Sequence, residues 1–169
     1  DGPAGFQRRF NAERGILEIS ERLSPDSRAF QLAHQIGLLS SSQAIEVLLD
    51  ENRVRDKRTR ALGRVALANY FAAALVIPYT PFLEAVKSAR YDIELLQHRY
   101  GASFEQVCHR MTTLTKPGAK GVPLHMLRVD IAGNNSKRFS LSGLPIPRHG
   151  GACVRWNVYA AFLNPGVIQ

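Results

Sequence analysis

The chain has 169 residues, of which 45% are hydrophobic and 21% charged, enough to bury a core as one domain or two small fused ones and too apolar for wholesale disorder. The net charge of +8 is uneven: residues 1–50 carry 5 basic and 7 acidic side chains, 51–100 carry 9 and 5, and 101–169 carry 8 and 2. A basic final third suits a polyanionic partner, either a nucleic acid backbone or a phosphorylated small molecule, or else a solvated basic surface.

Asp1 to Phe10 lacks the basic, apolar and small-residue succession of a secretion signal. Phe6 to Ile19 reads as a weak hairpin turning around Asn11–Gly15, with Ile16, Leu17 and Ile19 inward. Ser24-Pro25-Asp26 starts a helix, with Ser24 as the cap and Pro25 at the first position. Phe30, Ala33, His34, Ile36, Gly37 and Leu38 continue it, Ser40-Ser41-Ser42 interrupts it, and Ala44 to Leu49 forms a second helix. Glu51 to Arg60 is charged throughout and reads as an exposed connection or a helix start. A helix over 59–76 then aligns Leu62, Val65, Asn69, Ala72 and Val76 and stops before Pro78. The apolar run 65–78 contains Asn69 and is too short to span a bilayer, so no membrane role is expected and a cytoplasmic location follows.

Thr80-Pro81 opens a short helix ending near Ser88. Residues 92–100, the turn Gly101-Ala102-Ser103, and residues 104–114 read as helix, turn, helix, with Ser103 and Gln106 matching a capping box. Beyond Pro117-Gly118 the character becomes extended. Residues 124–131 alternate, with His125, Leu127, Val129 and Ile131 on one face, and Gly133-Asn134-Asn135 turns the chain into 136–140. Gly and Pro punctuate 143–151, and 155–162 supplies a strand or a short helix. Cys108 and Cys153 lack C-x-x-C spacing, make no complete zinc or iron-sulfur site, and are expected to be buried thiols.

The helix around His34-Gln35-Ile36-Gly37-Leu38 has the frame of H-E-x-x-H, in which two His one turn apart bind zinc and the Glu deprotonates the metal's water. Only the first His is present. Gln35 cannot act as a general base, and Leu38 replaces the second imidazole. With Phe30 and Leu38 on the same stripe, His34 reads as a core or cavity histidine in preference to a ligand.

Together with Leu67-Ala68-Asn69-Tyr70-Phe71 and the run to Pro78, this segment resembles the ImmA/IrrE metallopeptidase-like domain. Asn69, Phe71 and Pro78 match its second helix, while the position of its third metal ligand, a Glu, is Leu67. The strings Tyr91–Glu94, Ser103–Arg110, Ser136-Lys137-Arg138-Phe139-Ser140 and Gly150–Val158 are similar to the short-chain fatty acyl transcriptional regulators. The resemblance implies a sensor of short-chain acyl-CoA and no enzyme, since the metallopeptidase motif lacks its base and two ligands. It implies DNA binding through an N-terminal helix-turn-helix domain outside this chain, and homo-oligomers. An iron-sulfur cluster is implied only for longer family members.

The expected fold is α+β: a mainly helical, degenerate zincin-like core over 1–115 and a small C-terminal antiparallel sheet within 116–169, an incomplete part of the sensing region. An acyl-CoA site needs cations for the phosphates, a flat surface for adenine and an apolar slot. Lys116, Lys120, Lys137, Arg138, Arg148 and Arg155 offer cations, and Gly150-Gly151 offers backbone amides. Trp156, Tyr159 or Phe139 offers a stacking face, and His34 with Ala72–Ala74 lines the cavity of the lost metal. Two rival readings stand beside this one. The first is a zinc endopeptidase of the same superfamily; the second is DNA contact by 92–114, with Glu105, Gln106, His109, Arg110 and Thr113 exposed on a recognition helix.

Overall fold

A computed structural model describes residues 6–140 and 157–166. Its elements are β1 (Arg8–Asn11), β2 (Ile16–Ile19), α1 (Pro25–Ser40), α2 (Ser42–Glu51), α3 (Lys57–Val76), α4 (Tyr79–Ser88), α5 (Ile93–Tyr100), α6 (Phe104–Thr112), β3 (His125–Val129) and β4 (Asn135–Ser140). A short 3₁₀ helix follows at Asn157–Phe162, where a strand or a short helix was expected. The fold is α+β, helices with two separate two-stranded antiparallel sheets, β1-β2 and β3-β4. Two compact units divide after Val107. Among the described residues no single helix is long and apolar enough to cross a membrane.

In the first unit, α1 packs along α3, with α2 against both. The contact between α1 and α3 uses small residues. Ala33, Ala68 and Ala72 are buried, and a Cβ on Gly37 would lie 2.7 Å from Phe71 Cδ1. Close approach of two backbones selects Ala and Gly at the crossing and turns larger side chains outward. This overturns the expected inward stripe of α3: Leu62 is 65% exposed and Val65 48%. Ile16 and Ile36, also expected inward, are exposed for the related reason that a short hairpin and a helix with one covered side leave a face open.

Local signals formed the elements largely as expected. Asp56 caps α3 by accepting the Thr59 N–H at 2.7 Å. Gly101 ends α5 at φ 55°, and in the capping box of α6 the Ser103 N–H donates to Gln106 Oε1 at 2.9 Å while the Gln106 N–H donates to Ser103 Oγ at 3.2 Å. The cap expected from Ser24 is absent: its hydroxyl donates to Ser27 Oγ at 2.9 Å, and no side-chain cap bond forms. The interruption between α1 and α2 is Ser41 alone. Phe82, Val86 and Leu96 are fully buried, and Phe82 meets Tyr100 edge to face at 5.2 Å.

In the second unit, β3 and β4 pair antiparallel with a bulge at Arg128/Val129. The Asp130 carboxylate holds the turn, accepting the Asn134 N–H and side-chain amide, each at 2.9 Å. Ile131, expected on the inner face of the strand, lies in this turn and is 81% exposed. Cys108, expected buried, is half-buried.

Candidate functional site

The helix that resembles a metallopeptidase helix places His34 in the interior, 3% exposed, with Gln35 also buried. The strand alternation of β1 puts Arg8 on the face of Phe10, Leu17 and Ile19, and that face turns toward α1. From it the Arg8 guanidinium donates to His34 Nδ1. The imidazole also bonds the Val65 backbone on α3. Burial, reinforced by the Arg8 charge, holds the His34 pKa below the usual imidazole value, against the opposing effect of the Val65 bond. The neutral imidazole has one lone pair, and Arg8 takes it.

These residues do not fit a catalytic zinc. The His34 acceptor nitrogen faces a guanidinium, its neighbours in the motif are the Gln35 amide and the Leu38 hydrocarbon, and Leu67 stands at the third position. Among the described residues no group of three or more His, Cys, Asp or Glu is placed to hold a metal. Sequence patterning did not mark Arg8. The signal was available in the alternation of β1, where a charged side chain shares a face with Phe10.

The second unit contains the basic hairpin. Residues 108–169 carry eight Lys and Arg against one acidic side chain, Asp130, which is engaged in the turn. Of the cations named from the sequence, Lys137 and Arg138 lie on β4, and Lys116 and Lys120 are exposed before β3. The register separates the adjacent pair: Lys137 is opposite Arg128 and Arg138 opposite Leu127, so they occupy opposite faces of the hairpin. The face with Lys137 and Arg128 continues in Met126 and Phe139, and the Phe139 ring lies against His109 with centroids 3.8 Å apart. Arg148, Arg155 and Trp156, together with Gly150-Gly151 and Cys153, lie outside the described residues, as does the Tyr159 side chain. His34 belongs to the first unit and Lys137 and Arg138 to the second.

The recognition-helix expectation for α6 is corrected. Arg110 is 2% exposed and donates to Thr113 Oγ1 at 3.1 Å, Gln106 is engaged in the cap, and Glu105 and His109 are half-buried. The amphipathic pattern turned these polar groups toward their own helix ends and packing partners, where base edges cannot reach them. A shallow groove of about 750 Å³ in the first unit is lined by Ser24, Asp26, Glu94, Gln97 and His98, and it contains none of the residues named from the sequence.

Residues 3–112 match the profile of the IrrE N-terminal-like domain, and residues 113–169 that of the short-chain fatty acyl coenzyme A regulator, C-terminal. The chain is 45% identical over 166 residues to a propionyl-CoA carboxylase regulator of Cereibacter sphaeroides, covering 98% of this chain and 35% of that protein. It is 41% identical over 160 residues to the HTH-type transcriptional regulator RamB of Mycobacterium tuberculosis, covering 95% and 34%. It is 40% identical over 163 residues to the HTH-type transcriptional regulator PrpR of the same organism, covering 96% and 34%. A solved Mycobacterium tuberculosis transcriptional regulator superposes with a TM-score of 0.91 at 40% identity, over 96% of this chain and 50% of the solved one. The chain thus spans about a third of the curated relatives it matches. It belongs to the IrrE N-terminal-like domain family, in the form continued by the C-terminal region of the short-chain fatty acyl coenzyme A regulators.

Proposed function

We propose that this chain is the effector-binding region of a bacterial transcriptional regulator of short-chain fatty acid metabolism, that its effector is a short-chain acyl-CoA, and that it is not an enzyme. Residues 1–115 are the helical scaffold and 116–169 the β-rich part of the sensing region. The observation that carries the reading is the charge of the second unit. Eight cations against one engaged carboxylate, in a segment matching acyl coenzyme A regulators, suit a ligand with three phosphate groups. In the whole protein, DNA is contacted through an N-terminal helix-turn-helix domain, as the names of the relatives suggest. The regulator works in the cytoplasm as a homo-oligomer, and acyl-CoA shifts it between two states because it binds them with different affinity.

Calorimetric titration with acetyl-CoA, propionyl-CoA and free CoA tests the reading. Saturable binding that prefers a short acyl thioester is expected. No heat and no thermal shift at millimolar ligand sinks it. Elemental analysis separates it from the zinc endopeptidase, for which one tightly held zinc per chain and chelator-sensitive proteolysis would be decisive. The blocked lone pair of His34 supports the sensor over the peptidase.

A further inference from the structure

The β3-β4 ladder sets two cations of like charge directly opposite one another, Arg128 on β3 and Lys137 on β4. Opposed partners in an antiparallel pair have neighbouring Cβ atoms on one face, and like charges there destabilise the ladder. A two-stranded hairpin has little stability in reserve to absorb such repulsion. The unit's one acidic side chain, Asp130, is committed to the turn through its two bonds with Asn134. On the same face, one cross-strand pair further on, the Phe139 ring lies against His109 and forms an apolar flank beside the charges.

We propose that Arg128 and Lys137 together hold a phosphate group of a phosphorylated small molecule, that Arg128 is therefore a ligand contact in its own right, and that Arg138 on the opposite face is not one. This rests on the acyl-CoA reading in taking a coenzyme as the source of the phosphate. A dianionic group between the two cations turns a repulsive cross-strand pair into two charge-assisted hydrogen bonds, and the planar Arg128 fork suits two phosphate oxygens at once. Binding would also firm the hairpin, since the repulsion that loosens it is neutralised only when the site is filled.

The test uses the 169-residue chain with coenzyme A and, separately, inorganic pyrophosphate, in the variants R128Q, K137Q and R138Q. R128Q and K137Q are each expected to weaken coenzyme A binding roughly tenfold or more, the effect of losing one charge-assisted bond, and R138Q by less than about twofold. Without ligand, R128Q and K137Q should slow amide exchange in β3 and β4, because one of the opposed charges is gone. This second reading does not depend on any ligand. A loss in R138Q equal to that in R128Q, or no loss in R128Q and K137Q, overturns the proposal while leaving the acyl-CoA reading in place. Pyrophosphate that binds the pair when coenzyme A does not removes that reading and keeps the site. A short DNA duplex that depends equally on Arg128, Lys137 and Arg138, with a steep salt dependence, assigns the hairpin to nucleic acid and overturns the proposal.

Discussion

Gly37 and Gly63 show how one atom type acts differently in two places. A Cβ on Gly37 meets the Phe71 ring at 2.7 Å, and the ring is wedged between α1 and α3, so Gly37→Ala should cost about 1–3 kcal/mol by overpacking. On Gly63 the Cβ meets only Leu49 Cδ2, at 2.6 Å, the far end of a flexible side chain. There the helix-propensity gain of Ala, about 1 kcal/mol, offsets most of the clash. Urea denaturation of the two variants should therefore separate them, and equal losses would show that the Phe71 contact is not the tighter constraint. His34 supplies a pH prediction at the same scale. Its folded pKa is depressed, so the neutral form is favoured in the fold, and its contribution is complete above the unfolded value near 6.5 and lost as pH falls. His34→Gln keeps an acceptor for Arg8 but does not titrate in this range. Its stability should fall less than that of wild type between pH 7.5 and 5, measured by denaturant midpoints.

Between elements, the join of α2 and α3 depends on an ion-pair network that no local pattern announces. Glu46 accepts from Arg60 Nη2 and Arg64 Nε, each at 2.5 Å, while Arg60 also reaches Asp50 Oδ1 at 2.6 Å and the Val54 carbonyl at 2.9 Å. The bonds from Arg64 and Arg60 hold the Glu46 pKa at about 2. A folded value below the unfolded one means that this clip is complete above pH 4.5 and is lost as pH falls toward 2. Glu46→Gln should thus flatten the acid limb of unfolding in that window while changing stability little in high salt, where exposed pairs are screened. Identical acid limbs in variant and wild type would assign the acid sensitivity elsewhere. The charged segment 51–60 looked like a mere connection in the sequence. It caps α3 through Asp56 and anchors α2 through Arg60 because the chain doubles back and brings α2's carboxylates within reach.

For the molecule as a whole, the separation of charge from core has a consequence for binding. The first 107 residues form a unit built on helix packing, whereas the cations cluster in 108–169. Affinity for coenzyme A should therefore fall as ionic strength rises, since the Debye length shortens to about 3 Å at 1 M salt, while the unfolding midpoint of the helical unit moves little. Affinity indifferent to salt would point to an apolar, charge-free mode of recognition and against the basic unit as the ligand site.

Sequence alone determined the features that depend on near neighbours. The Gly101 turn, the Ser103–Gln106 box, the two hairpins and the helix ends at Pro78 and near Ser88 follow from local backbone chemistry, and the family strings around His34 and Lys137 are written in contiguous residues. Which side of each element is covered was decided by the tertiary structure. Leu62 and Val65 face outward because Ala68 and Ala72 let α3 approach α1 more closely than Leu or Val would. Arg8 reaches His34 only because the hairpin lies over α1, and Arg128 joins Lys137 only because register, and not adjacency, chooses the neighbour across a ladder. Periodicity states that an element has faces; the partner that buries one of them is set by contacts between residues far apart in the chain.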